Sequence, residues 1–340
     1  MDKRVVFAVA GSGKTSFIIN GLDDNSRALI VTYTEKNTVN LKEKVINKFG
    51  YIPCGIKVYT YYKFLYSFCF KPILGHKAPS KGINWEVPPR FAKKDSLHHY
   101  FDKNGRLYGS RIAKLIMETG SLPELIARIE KYFDRVCIDE VQDFAGNDFN
   151  LLCGLNEASV QQLLVGDFFQ HTFDTSRDGN VNGKLHDDYP SYKSRFMKAG
   201  FVVDTDLLSN SFRCSPTVCE FVSKQLGINI SSHREDETQV SLIECREHAD
   251  QLFTCRETVK LFYQASAKYV GFTENWGATK GQDCYDDVCV VLNSKTFALF
   301  QKSELHKLAP QTKNKLYVAC TRAKRNLYFV PESMLGDYRK

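Results

Sequence analysis

One run of residues restricts this chain more than any other: Val5-Val6-Phe7-Ala8-Val9-Ala10-Gly11-Ser12-Gly13-Lys14-Thr15-Ser16. An apolar stretch of strand length leads into a Gly-rich turn and then into a helix start. Successive backbone N–H groups of such a turn, with a helix N-terminus behind them, cradle phosphate oxygens. The Lys reaches the terminal phosphates and the Thr hydroxyl ligates Mg²⁺. Gly11, Ser12, Gly13, Lys14, Thr15 and Ser16 are therefore the candidate nucleotide site, with ATP and Mg²⁺ as the expected cofactors. The strict GxxxxGK[ST] pattern puts Gly at residue 8, where Ala8 stands. A chance turn before a helix is the plain alternative, and an intact GSGKT between a strand and a helix weighs against it.

A phosphate loop of this kind needs a parallel sheet, and the rest of the chain supplies one. Short apolar runs at Arg4–Ala8, Ala28–Thr32, Arg135–Ile138, Gln162–Val165, Phe201–Leu207, Val288–Leu292 and Asn326–Val330 alternate with helical patterns such as Thr38–Phe49, Leu122–Tyr132, Pro216–Lys224 and His248–Ala265. Runs this continuously apolar belong to strands covered on both faces, so the expected class is α/β. The run Val136-Cys137-Ile138-Asp139-Glu140 ends in two acids, which places carboxylates at the carboxyl edge of such a sheet. Asp139 would hold the metal and Glu140 would orient and deprotonate the attacking water. An acidic pair closing a strand is common by itself; joined to the phosphate loop it gains meaning.

Length and composition set the frame. With 340 residues, two domains of ordinary size are expected. The Gly/Asp/Asn-rich stretch 177–188 reads as a long loop, and the boundary is expected near residue 195, giving lobes 1–195 and 196–340. Residues 71–106, rich in Pro, Gly, Lys and His, read as part of an insertion at about 70–130 in the first lobe. The net charge of +7 mildly favours a polyanionic partner. Eleven scattered cysteines without a CxxC pair argue against a zinc ribbon and for reduced thiols in a cytosol. No apolar run is long enough to span a membrane, and Lys14 follows the N-terminal apolar run too closely for a signal peptide. A cytoplasmic protein is expected.

Further segments carry a resemblance. Asp139-Glu140-Val141-Gln142-Asp143 is similar to the DExQD box of the UvrD/Rep-like superfamily-one helicases, and the family's other motifs follow in order. Val31–Lys36 resembles the second motif and Thr60-Tyr61-Tyr62-Lys63-Phe64 the TFHSF element. Val165–Gln170 resembles GDxxQ and Ser211–Ser215 NYRS. Gly277–Asp283 resembles HSAKGLE and Tyr317–Lys324 YVALTRAK. The series runs from residue 5 to residue 330. The resemblance implies two RecA-like P-loop NTPase lobes with ATP in the cleft between them. It assigns phosphate sensing to Gln170, adenine stacking to Phe212, and neutralisation of the transferring phosphoryl group to Arg213 and Arg322, with Asp283 beside the nucleotide. Without that context each Arg reads as an ion pair and Phe212 as core.

For nucleic acid, Tyr33, Lys36, Tyr61, Tyr62 and Phe173 are the candidates, with Tyr61 favoured for base stacking and Tyr62 second. Packing is the plain role for most rings in the run Tyr59–Phe68. The family's Trp after the GDxxQ region is replaced here by Asp174-Thr175-Ser176. No adenine-selecting Gln motif precedes the phosphate loop, so loose nucleobase selectivity is expected. About 60 residues separate Arg213 from Gly277, too few for the large second-lobe insertion of full-size helicases. The resemblance implies a compact motor on single-stranded nucleic acid, DNA rather than RNA, moving 3′ to 5′. The other reading is an ATPase switch acting through a protein partner, such as a nuclease in a phage-related or defence complex, or a replication factor. A small-molecule kinase would leave the later motifs unexplained.

Overall fold

The computed structural model describes residues 2–89, 96–172 and 178–340. The chain divides into two compact units. Met1–Val6, Lys14–Gly166 and Asp174–Asp204 form one; Phe7–Gly13, Asp167–Phe173 and Thr205–Lys340 form the other. Both are α/β, with parallel sheets of the kind that RecA-like lobes use.

The first unit's main sheet is built from β1 (Lys3–Phe7), β2 (Ala28–Thr32), β3 (Ile56–Thr60), β6 (Arg135–Asp139), β7 (Gln161–Gly166) and β8 (Val202–Asp204), in the order β3-β2-β6-β7-β1-β8. The pairs β1/β8, β2/β3, β2/β6 and β6/β7 are parallel. Every residue of β2 is buried, as its unbroken apolar sequence requires of a strand covered on both faces. Between β3 and β6 a small parallel ribbon, β4 (Ile83–Asn84) with β5 (Leu107–Tyr108), sits in the insertion. Threonines at or just beyond strand ends start helices. Thr34 accepts from the Asn37 N–H ahead of the helix Glu35–Phe49, and Thr60 accepts from the Lys63 N–H as β3 turns helical.

The second unit holds a short parallel pair, β9 (Asn210–Ser211) with β10 (Ser231–Ser232). Its five-stranded sheet has the order β11-β15-β14-β12-β13, from β11 (Val240–Leu242), β12 (Val259–Phe262), β13 (Thr273–Asn275), β14 (Val288–Leu292) and β15 (Leu327–Pro331). All four pairings are parallel. The helix Pro310–Cys320 packs its buried face, Leu316, Tyr317 and Ala319, into the core that includes Val288, Val290 and Phe329.

Two details depart from the sequence expectations. The strand expected at Phe201–Leu207 is only β8, and its pairing with β1 carries the first unit to Asp204, past the expected boundary near 195. The helix expected over His248–Ala265 stops at Thr254, and β12 follows.

Candidate nucleotide site and aromatic cluster

Within the first unit, the helix Lys14–Asn20 and the end of β6 bring four candidates together. The Thr15 hydroxyl donates to Asp139 Oδ2 at 3.1 Å, and Asp139 Oδ1 accepts the Glu140 N–H at 3.0 Å. Asp139 is 2% exposed. Burial, and then the neighbouring Glu140 charge, push its carboxyl up to about 7, against the opposing pull of Lys14 and Thr15. Such a carboxylate is short of positive charge, and a cation placed beside it would favour its ionised form. Among the described residues no group of three His, Cys, Asp or Glu could hold a metal by itself. The oxygen pair of Thr15 and Asp139 fits Mg²⁺, which characteristically takes one or two protein oxygens and completes its shell with phosphates and water.

Glu140 has left-handed backbone angles, φ 60° and ψ 48°. That conformation costs a non-Gly residue roughly 1–3 kcal/mol, and the Gln142 side-chain amide donates to its carboxylate. Lys14 is largely buried, and the Ser16 hydroxyl accepts from the Lys44 ammonium at 3.0 Å.

The second unit, taken by itself, holds the glycine turn and the two arginine candidates. Gly11 lies at φ +70°, and a Cβ there would stand 2.6 Å from Arg213 Cβ and 2.7 Å from Ser211 Oγ, so no other residue fits. The Gly11 carbonyl accepts the Phe212 N–H at 2.9 Å, and the Ser12 hydroxyl donates to the Val9 carbonyl. A Cβ at Gly13 would stand 3.8 Å from the Phe212 ring. The Phe212 ring is 62% exposed and stacks on His233, centroids 4.0 Å apart and planes at 15°. His233 was not singled out in the sequence; it lies outside every motif and reaches Phe212 through the β9/β10 pairing. A Phe backed on one face by imidazole and open to solvent is a ready stacking surface for a base.

Arg213 donates from Nε to Asp283 at 2.7 Å and from a terminal nitrogen to the Thr321 carbonyl. Asp283 thus holds the arginine. Burial pushes its carboxyl up, but Arg213, by charge and hydrogen bond, together with Lys324 and Arg322, brings it below the usual range. Arg322 is 1% exposed, and its guanidinium donates to the carbonyls of Val318, Thr279 and Gln282. Burial, followed by the Arg213 charge, brings it down to about 10, so it stays cationic at neutral pH. Gln170 is buried and donates to Asp167 Oδ2 at 2.8 Å. The Tyr317 hydroxyl donates to the same oxygen at 3.0 Å while accepting the Ala10 N–H at 2.9 Å. Tyr317 therefore ties the glycine turn to the Gly166–Gln170 motif, a role that its place in the last motif did not reveal.

The nucleic-acid candidates fare unevenly. Tyr61 is 2% exposed, stacked on Tyr33 at 5.7 Å and met edge-on by Phe144 at 4.7 Å. Burial and the Asp148 carboxylate hold its hydroxyl well above the usual range. Tyr61 is a core residue here, with no face open to a base. Tyr61→Ala is expected to cost roughly 3–5 kcal/mol of stability, read by chemical denaturation; an unchanged midpoint would contradict the packing role. Tyr33 and Tyr62 are half-buried, their hydroxyls 3.0 Å apart, and Lys36 is exposed. Phe173 lies outside the described residues.

No protein-family model matches the chain, and no curated protein matches it. Among solved structures it is similar to a PRRSV helicase, at 14% identity and TM-score 0.49, over 99% of this chain and 55% of that one. It is also similar to Arterivirus nonstructural protein 10 (helicase), at 14% and 0.49 over 98% and 62%. The complex of that helicase with DNA matches at 14% and 0.48, over 96% and 60%. The chain thus spans less than two thirds of the length of these helicases.

Proposed function

We propose that the chain is an ATP-driven motor of the superfamily-one helicase kind, working on single-stranded nucleic acid. The observation that carries this reading is the meeting of Lys14, Thr15, Asp139 and Glu140, a phosphate-loop cation and hydroxyl beside a buried acid and a second, conformationally strained acid. The motif resemblance assigns the glycine turn, Phe212 and Arg213 to the same nucleotide chemistry. In this reading the turn and Lys14 bind the phosphates, and Phe212 on His233 takes the base. Thr15 and Asp139 hold Mg²⁺, which offsets phosphate charge when bound. Glu140 takes the proton of the attacking water, Gln170 senses the terminal phosphate, and Arg213 and Arg322 offset charge on the transferring group. A preference for DNA, 3′-to-5′ movement and membership of the UvrD/Rep-like branch follow from the motif resemblance.

Eleven free thiols support a reducing, intracellular setting. No helix among the described residues is long and apolar enough to cross a membrane.

The direct experiment measures ATP hydrolysis with Mg²⁺ alone and with added single-stranded DNA or RNA, then unwinding of duplexes bearing a 3′ or a 5′ tail. Stimulation by DNA and unwinding from the 3′ tail are expected. The burial of Tyr61 favours a second reading, an ATPase switch working through a protein partner such as a nuclease or replication factor. Hydrolysis indifferent to either nucleic acid would select it.

The stacking surface gives its own prediction. Phe212→Ala should weaken nucleotide binding, and His233→Ala should do so by about 0.5–1.5 kcal/mol, the worth of one aromatic pair, measured by titration with a fluorescent ATP analogue. Unchanged affinity in both variants would remove the base from this surface.

A further inference from the structure

The chain has two tryptophans, placed oppositely. Trp276 is fully buried, its indole N–H donating to the Leu261 carbonyl at 2.8 Å. Trp85, in the first-unit insertion, is 66% exposed. It is nonetheless well fixed. Tyr62 meets its ring at 4.5 Å and 88°, and a Cβ at Gly109 would already press on both rings at 3.3 Å. Just before it, the β4/β5 pairing fixes the backbone; Asn84 is buried, donates to Asp102 Oδ2 at 2.9 Å and accepts the Glu86 N–H at 2.9 Å. A large aromatic face held out toward water on a braced support is the arrangement that needs explaining, since exposed apolar surface of this kind marks binding.

The charge around it says what would bind. Residues 71–114 contain ten Lys and Arg against three Asp and Glu, an excess of seven that equals the whole chain's net charge of +7. Outside this segment the charges balance. Within it, Arg106 is paired with Asp102, and Arg111 and Lys114 with Asp178. Lys71, Lys77, Lys81 and Lys103 lie exposed. An exposed indole on an insertion that also carries exposed lysines suits a ligand with flat rings and phosphates, and rings free to stack are those of unpaired bases.

We propose that Trp85 is a stacking platform for an unpaired nucleobase, with the exposed Lys71, Lys77, Lys81 and Lys103 of the insertion neutralising phosphates of the same strand. The proposal deepens the nucleic-acid reading above and rests on it. It supplies, from outside the helicase-like motifs, the aromatic contact that the buried Tyr61 does not make.

The test uses the full chain with oligo(dT) and with an abasic strand of equal length, which keeps phosphates and lacks bases. Stacking should quench the Trp85 emission, and Trp276, being buried, should leave a constant background. Trp85→Ala should bind oligo(dT) roughly 5- to 150-fold more weakly, Trp85→Phe should recover most of the affinity, and both variants should melt with wild type. The abasic strand should bind wild type and Trp85→Ala equally, with an affinity that falls steeply with salt. Wild type that binds oligo(dT) without quenching, together with a Trp85→Ala of unchanged affinity, overturns the platform and leaves the motor reading standing. Wild type with no affinity for either strand overturns both.

Discussion

Glu140→Gln is expected to reduce ATP turnover by about 10²–10⁴-fold, the usual worth of a positioned general base, while nucleotide affinity stays near wild type. The amide keeps the shape of the side chain at the end of β6 and a partner for Gln142, and removes only the capacity to accept the water proton. Lys14→Ala should fail differently. It deletes the cation assigned to the phosphates, which also holds the buried Asp139 carboxyl down. Asp139 should then be protonated over a wider pH range, and both nucleotide and Mg²⁺ should bind less well. Equilibrium titration with a nucleotide analogue beside single-turnover phosphate release separates the two defects. Near-normal turnover in Glu140→Gln would take Glu140 out of the base role.

How far the sequence carries depends on how local the cause is. The phosphate loop and the acidic end of β6 are readable because each is one strand plus its next few residues, and parallel pairing does the rest; the contact from Thr15 to Asp139 follows. The burial of Tyr61 is hard to read from the sequence because the run Tyr59–Phe68 shows an aromatic at nearly every second position, which suggests a strand. Only Ile56–Thr60 is extended. From Tyr61 the chain is helical and then π-helical through Phe70, so the buried side chains are Tyr61, Phe64, Leu65, Phe68, Cys69 and Phe70, with a spacing of three to four as far as Cys69. The strand β12 was hidden for another reason. Lys260 in its middle reads as a surface charge, yet it is buried, donating to the Cys255 carbonyl with its ammonium over the Phe253 ring. His233 and Trp85 gain their meaning from partners 21 and 23 residues away, Phe212 and Tyr62, and no period connects them.

Arg322 offers the other large effect, because two losses should appear together. Its guanidinium is buried and bound to three carbonyls, those of Thr279 and Gln282 on one segment and Val318 on the helix Pro310–Cys320. Arg322→Ala therefore strands buried acceptors, each costing about 1–3 kcal/mol when left unpaired, and should lower the melting temperature. If the arginine also offsets charge on the transferring phosphoryl group, turnover per folded, nucleotide-bound molecule should fall by roughly 10³-fold, the low end for arginine fingers. Arg322→Lys retains the charge without the fork and should restore little of either, since one ammonium cannot serve three diverging carbonyls. Arg213 supplies the contrast. Although Arg213 is itself mostly buried, its partner Asp283 is largely exposed, so removing the arginine leaves a solvated carboxylate and costs the fold less than stranding buried acceptors. Arg213→Ala should thus lose turnover on a similar scale with a nearly wild-type melting temperature. Single-turnover hydrolysis at saturating ATP, normalised to the folded fraction, distinguishes the roles. An Arg322→Ala protein that is destabilised yet turns over normally would make Arg322 a structural cation, pinning residues 279–282 to the helix, and would leave Arg213 as the one arginine assigned to the phosphoryl group.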